Sequence, residues 1–513
     1  METNEFHLFS PAGIILSAGV FISFCILYTV GTAIYNTWFH PLSHIPGPKL
    51  SSASAIPYII HTRNGTNVNW IKQLHEKYGD VVRVAPTELS FISGESAWQD
   101  IYGFRTGKHK TPPYLKDRNW YPIPVNGVYS VIVADEEGHS RMRRNLSHAF
   151  SERALKEQEG LIQSLINLFI QRLHEEVEEG RPAVDIMRWY NYATFDIIAD
   201  LTFGESLHCL RDKGYHPWVN LVFSSIKATP LIAGRRKYPM LDYYDRFIGM
   251  FGESNTNEVV RKRIEFFRVA ASKVSARLES EGDRPDFMSH IIKNQATEAK
   301  ALTREELDSN AVVFLIAGSE TTATLLSGVT YLLLRNPDTY AKLVHEIRTR
   351  FHHYDDITID AANRCEYMIA VLQEALRYYP PVATGFPRVV PAGGDTISGR
   401  YIPQGTSVYM SQHAANHSSR NWTDPERFAP ERWLGDERYK DDNRASLNPF
   451  SFGPRNCLGK NLAFAEMRVI LAKIIFSFDM ELQDKELDWI GVQKVFALWE
   501  KPALNVKLTP VQR

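Results

Sequence analysis

Cys457, near the C-terminal end of the chain, stands where a thiolate would be held and used. The segment Phe450-Ser451-Phe452-Gly453-Pro454-Arg455-Asn456-Cys457-Leu458-Gly459 sets it between two glycines and an arginine. An apolar-periodic stretch follows directly and predicts a helix from Asn461 to about Met480. Backbone N–H groups and the dipole at a helix N-terminus stabilise a thiolate. Gly453 permits a tight turn before the sulfur, and Gly459 lets the backbone pass close under a flat ligand. Arg455 supplies a fixed cation for a carboxylate. A buried free cysteine beside a turn is the commoner fate of this residue type. Five special residues at fixed spacing argue against it here.

A second group lies in Ala317-Gly318-Ser319-Glu320-Thr321-Thr322, inside a strongly apolar helical pattern. Glycine and two threonines are locally unfavourable in mid-helix. A threonine can bond back to a carbonyl one turn earlier and open a kink. Small residues also serve plain helix–helix contact, but Glu320 adds an acid to an apolar stretch, which needs a reason. A third group is Glu374-x-x-Arg377, opposite charges on one helix face, by itself a common surface pair.

The loop around Cys457 matches Phe-x-x-Gly-x-Arg-x-Cys-x-Gly at every fixed position, and in this the chain resembles the cytochrome P450 family. The resemblance covers roughly Tyr35 to Val506 and implies a mainly α fold with a minor β-sheet region, built around haem b (iron protoporphyrin IX) with Cys457 as the iron ligand. It implies that Ala317, Gly318, Glu320 and Thr321 form the oxygen-binding segment. Thr321 would donate a hydrogen bond there, and Glu320 would link it to solvent protons. Phe428-Ala429-Pro430-Glu431-Arg432-Trp433 is similar to the family's segment before the cysteine loop. By that likeness Glu374, Arg377 and Arg432 form a structural triad. His139 and Arg143, one helical turn apart, and Arg388, in Phe386-Pro387-Arg388, correspond to the family's propionate clamps. Many relatives carry Trp in place of His139. Substrate contacts would fall in Trp120–Ser130, Ser206–Gly234, Phe314–Ala317, Val382–Phe386 and Val495–Leu498, walls suited to a hydrophobic small molecule. Arg141, Arg144, Arg153 and Lys156 either form a solvated basic face or dock an acidic reductase.

The implied activity is monooxygenation, hydroxylation or epoxidation with O2. Electrons would come from NADPH through a separate NADPH-cytochrome P450 reductase, with cytochrome b5 as a further donor. Likeness to fungal microsomal members points to a tailoring step in terpenoid, polyketide or alkaloid metabolism. The rivals are a haem-thiolate isomerase or dehydratase that needs no O2, a xenobiotic or fatty-acid hydroxylase, and a non-catalytic haem sensor. Glu320 and Thr321 together argue against the isomerase and the sensor.

Composition fits this picture. The 513 residues are 44% hydrophobic and 23% charged with a net charge of -1, giving no reason to expect nucleic acid as a partner. Four scattered cysteines (Cys25, Cys209, Cys365, Cys457) suit a reducing compartment. No Asp, Glu, Lys or Arg occurs from Phe6 to Pro48, and Gly13 to Ile34 can span a membrane. Basic residues begin at Lys49, which predicts a cytosolic body. The expected organisation is a lumenal 1–12, a single-pass anchor over 13–35 in the endoplasmic reticulum membrane, a Pro-rich linker over 36–50, and a catalytic domain over 51–513. Helices are predicted at Glu152–Glu179, Ala193–Leu201, Asp308–Leu334, Pro337–Phe351 and Tyr367–Arg377. A hairpin is predicted around Pro86, strands within Val389–Tyr409, and surface loops at Glu279–Pro285 and Gly435–Arg444.

Overall fold

The computed structural model describes every residue except 1–10, 106–110, 122–123, 239–242, 244–254, 281–283, 296–300 and 513. Residues 1–10 of the predicted lumenal stretch, two positions of Trp120–Ser130 and the middle of the Glu279–Pro285 loop therefore lie outside the described residues, while Pro11 and Ala12 belong to the first helix. An apolar helix, Pro11–Ile34, continues through a wider π-helical turn at Tyr35–Phe39. Its mean hydropathy of 2.2 and near-complete exposure make it long and apolar enough to cross a membrane. Helical structure ends at Phe39, shortly before Pro41, and resumes at Lys49–Ala53 directly after Pro48.

The body is helical, with small sheets at its edges. The central helix, Arg304–Arg335, starts at a Thr303–Glu306 capping box, and Thr322–Leu333 is buried throughout. It packs against Ile186–Phe203, itself buried nearly all round. That helix begins seven residues before the predicted Ala193, because its first turns are aromatic rather than periodic. Glu152–Glu178, Pro337–Arg350 and Glu366–Tyr378 lie where expected.

The helix after Cys457 runs from Lys460 to Ser477, short of the predicted Met480. Phe478–Leu482 is instead a strand of alternating burial, paired antiparallel with Asn505–Pro510. A five-stranded sheet orders Val81–Ala85, Glu88–Phe91, Ser407–Met410, Arg388–Val389 and Leu115–Lys116. Its outermost pairing sets Lys116 opposite Arg388, bringing two cations from distant parts of the chain to one edge.

Candidate active site

The cysteine loop is closed by its own backbone: Cys457 N donates to Phe450 O at 2.8 Å, and Asn456 N to Gly453 O at 3.1 Å. Gly453 adopts φ +73°, and a Cβ there would fall 1.9 Å from the Tyr102 carbonyl oxygen, so only glycine fits. Gly459 is the residue before the Lys460–Ser477 helix, with only the Phe150 ring, at 3.9 Å, on its Cβ side. The Phe450 ring packs on Phe464 of that helix. Cys457 sits deep in the protein, and burial pushes its thiol up, opposed by the Gly459 N–H and the Arg143 and Lys460 charges. The residue nevertheless keeps open surface, so its sulfur borders an internal space rather than packed side chains.

Buried cations gather around this loop. Arg455 donates to Ala134 O at 2.9 Å and to Glu136 at 3.1 Å. Arg143 donates to Asn456 O at 2.7 Å, bracing the loop. Arg388 donates to Tyr114 O at 3.2 Å, while its Nε is buried without a partner. His139 is buried with Nδ1 unpartnered. Burial, then the charges of Arg455, Arg143, Lys116 and Arg388, lower its ring to about 3. Lys116 is the member that sequence reasoning missed. Its ammonium donates to the Tyr121 hydroxyl at 3.1 Å and lies over the Phe386 ring, and is held well below its ordinary range by burial and by Arg388 and Arg455. A lysine in a two-residue strand gives no periodic signal. Lys116, His139, Arg388 and Arg455, with unpartnered donors among them, form a basic set chemically suited to a dianion. With a sulfur donor nearby, the set fits the iron and carboxylates of haem.

The central helix stays α-helical through Ala317–Thr322. Gly318 lets a neighbouring helix approach: a Cβ there would lie 2.5 Å from Ile198 Cδ1. Thr321 Oγ1 does donate to Ala317 O, at 2.7 Å. Ala317 is exposed and Thr321 partly so, in a stretch flanked by buried residues. Phe150 connects this helix to the cysteine loop, facing Gly459 on one side and Phe314 at 5.3 Å on the other. Glu320 and Thr321 are not hydrogen-bonded to each other. Glu320 is paired with Lys501, another group not foreseen. Glu466, on the cysteine helix, is also buried, its carboxyl oxygens without hydrogen bonds of normal geometry. Burial raises it to about 8, with Thr322 as its polar neighbour. An acid inside the apolar run Leu462–Ile475 was the signal that could have found it.

Glu374, Arg377 and Arg432 come together with every charged group closed to solvent. Arg377 bonds Glu374 through Nε and Nη2 at 2.9 and 2.8 Å, and Arg432 Nε reaches Glu374 Oε1 at 3.1 Å. Arg377 also binds the Asn416, Pro425 and Arg427 carbonyls. Arg432 takes a further carboxylate, Asp442, at 2.8 Å. Asp442 lies in the stretch predicted as a surface loop, Gly435–Arg444, part of which is instead folded inward by this pair.

The predicted basic face carries acids beside its cations. Arg141 bonds Glu306 and the Ala301 carbonyl, Arg153 pairs with Glu157, and Lys156 with Asp360. Neighbouring acids neutralise three of its four cations.

Four of the five predicted substrate segments converge. A cleft of about 700 Å³ involves Tyr58, Trp120, Pro230, Ala233 and Pro387, and an adjoining one of about 510 Å³ adds Thr384, Gly385, Val495 and Phe496. The larger is less apolar than expected, since the buried Glu88–Lys237 pair contributes to its wall.

The family described as Cytochrome P450 matches residues 48–504. Similar proteins include the cytochrome P450 monooxygenase lcsI of Purpureocillium lilacinum, 49% identical over 100% of this chain and 98% of its own length. The cytochrome P450 monooxygenase traB of Penicillium crustosum is 48% identical over 97% of both chains. The averantin hydroxylase of Dothistroma septosporum is 41% identical over 94% of this chain and 90% of its own length. A cysteine loop bordered by buried basic side chains, with likeness along the whole chain, establishes that this protein belongs to the cytochrome P450 family and is a cytochrome P450 monooxygenase.

Proposed function

We propose that the protein inserts one oxygen atom from O2 into a hydrophobic small molecule as a tailoring step of fungal secondary metabolism. Electrons would come from NADPH through a separate reductase. The observation that carries this reading is Cys457 bordering an internal space beside Lys116, His139, Arg388 and Arg455. In this reading Cys457 would ligate the iron of haem b, and those basic groups, with Arg143 behind the loop, would hold its carboxylates. Haem supplies O2 activation and the two-electron redox chemistry.

The chain's own residues do the rest. The Gly453 turn and the Phe450–Phe464 contact fix the cysteine loop. Ala317 leaves room at the middle of the central helix, where Thr321 presents its hydroxyl. Glu320 takes up solvent protons and delivers them toward Thr321. Glu374, Arg377 and Arg432 lock the approach to the loop. The joined clefts bind substrate through Trp120, Thr384, Val495 and Phe496, with Glu88 and Lys237 meeting its polar end. The apolar helix anchors the enzyme in the endoplasmic reticulum with this body in the cytosol.

Metabolite profiling of a strain lacking the protein tests the proposal, with the accumulated precursor returned to microsomes containing it. Conversion that needs NADPH and O2 and adds one oxygen is the expected result. Rearrangement without either would favour an isomerase and overturn it.

A further inference from the structure

The acid of the central helix is held by a cation lying far outside its motif. Lys501 Nζ donates to Glu320 Oε2 at 2.5 Å and to Thr324 Oγ1 at 2.8 Å. Both charged side chains are closed to solvent, at 3% and 5% exposure. Thr324 Oγ1 also lies 3.4 Å from the same carboxylate oxygen. Glu320 is thus engaged one turn beyond Thr321, whose hydroxyl donates to Ala317 O. For the carboxyl group to pass a proton toward Thr321, its bond to Lys501 has to open.

The chain around Lys501 is built to hold it. Trp499 Nε1 donates to Pro380 O at 2.8 Å, and Trp489 Nε1 to Pro502 O at 3.0 Å, so indoles pin both flanks. Tyr379 packs between those rings. It approaches the central helix at Gly328, where a Cβ would lie 2.1 Å from its ring. On the outer side, Glu500 pairs with Lys227 of the helix Pro217–Lys237.

We propose that Lys501 is a positioning residue for proton delivery, holding Glu320 as a paired carboxylate until it turns toward Thr321. This rests on the reading of Glu320 and Thr321 as the proton relay. The step moves protons only: Glu320 takes one from solvent and gives it to the Thr321 hydroxyl, which passes on its own. Besides Lys501, Tyr215 and Tyr379 feel the Glu320 charge. Burial keeps both phenols neutral, and the carboxylate reinforces this.

The test uses the full-length enzyme with its reductase in phosphatidylcholine vesicles, following NADPH oxidation without added substrate. Rates in H2O and D2O are compared from acid to alkaline pH. In Lys501→Met the unpaired Glu320 keeps its proton to higher pH, so the profile moves toward alkaline pH by on the order of one unit or more. The solvent isotope effect changes with it, and Lys501→Arg restores both. Infrared titration of Lys501→Met shows a new band from a buried protonated carboxyl, missing from Lys501→Met/Glu320→Gln. An unmoved pH profile and isotope effect in Lys501→Met overturn the proposal. Lower thermal stability alone would then mark the pair as structural. If Glu320→Gln itself moves neither readout, the relay reading falls and this inference with it. An active Glu320→Gln effect beside a silent Lys501→Met sinks the inference alone.

Discussion

Replacing Glu466 by glutamine separates the charge of that residue from its shape, and the structure gives the size of the effect. Glu466 is buried without hydrogen bonds of normal geometry, and burial raises its carboxyl to about 8. In the unfolded chain it titrates near 4.5. Between those values the unfolded state loses a proton that the folded state keeps, so stability falls as pH rises through the window. Below it, folded and unfolded forms are both protonated and the contribution vanishes. Taking about 1.4 kcal/mol per unit over a window of roughly two to three units, the native residue costs about 3 kcal/mol more at pH ~8 than at pH ~5. Glutamine carries no such term. With an unfolding entropy of about 2.1 cal/mol/K per residue, a chain this long shifts its midpoint by about 1 °C per kcal/mol. Thermal unfolding of detergent-solubilised holoenzyme should therefore show Glu466→Gln level with the native protein at the acid end and about 3 °C more stable at the alkaline end. Parallel curves for the two proteins would refute the reasoning, and would mean that water or a rotated Thr322 stabilises the carboxylate.

Cys457→Ala should abolish the red-shifted carbon monoxide difference band of the reduced protein, and a surviving band would move the iron ligand elsewhere. Thr321→Ala should retain haem yet release hydrogen peroxide at the expense of product, measured as peroxide formed per NADPH consumed; unchanged coupling removes Thr321 from the relay. Glu374→Ala leaves the buried Arg377 guanidinium without a carboxylate and Arg432 with Asp442 alone, a loss of about 3–5 kcal/mol. Recombinant Glu374→Ala should come out largely without haem, and normal haem content would contradict the folding role.

How much of this was readable depended on distance along the chain. The cysteine loop is local: its glycines, arginine and cysteine act within ten residues, so spacing alone exposed it. The long helices were legible for the same reason, since periodicity is a short-range property. The helix at Ile186 was misjudged where burial on all sides erased the period. The strand at Phe478 was absorbed into the preceding helix because its apolar residues continue the run without a break. Lys116 and Lys501 were invisible for a different reason. Each derives its meaning from a residue far away in sequence (Arg388 and Glu320), and nothing in the neighbourhood of a single lysine announces such a meeting.

The buried charges fall into two classes, and the difference explains what each is for. Glu374, Arg377, Arg432 and Asp442 form a closed set in which the guanidinium groups find carboxylates and backbone carbonyls within the chain. Such a set adds rigidity to the segment leading into the cysteine loop, and needs no ligand. Lys116, His139, Arg388 and Arg455 form an open set. Glu136 offers one partly exposed carboxylate to Arg455, while burial and mutual repulsion depress Lys116, His139 and Arg388. A fold that concentrates like charge in a low-dielectric interior loses stability unless an anion binds there. Neutralising Lys116 as Lys116→Met should therefore raise the stability of the haem-free chain while weakening its hold on haem. Chemical denaturation of the apoprotein and haem transfer to apomyoglobin would measure the two halves separately. Both quantities moving down together would make Lys116 a packing residue and remove it from the carboxylate clamp.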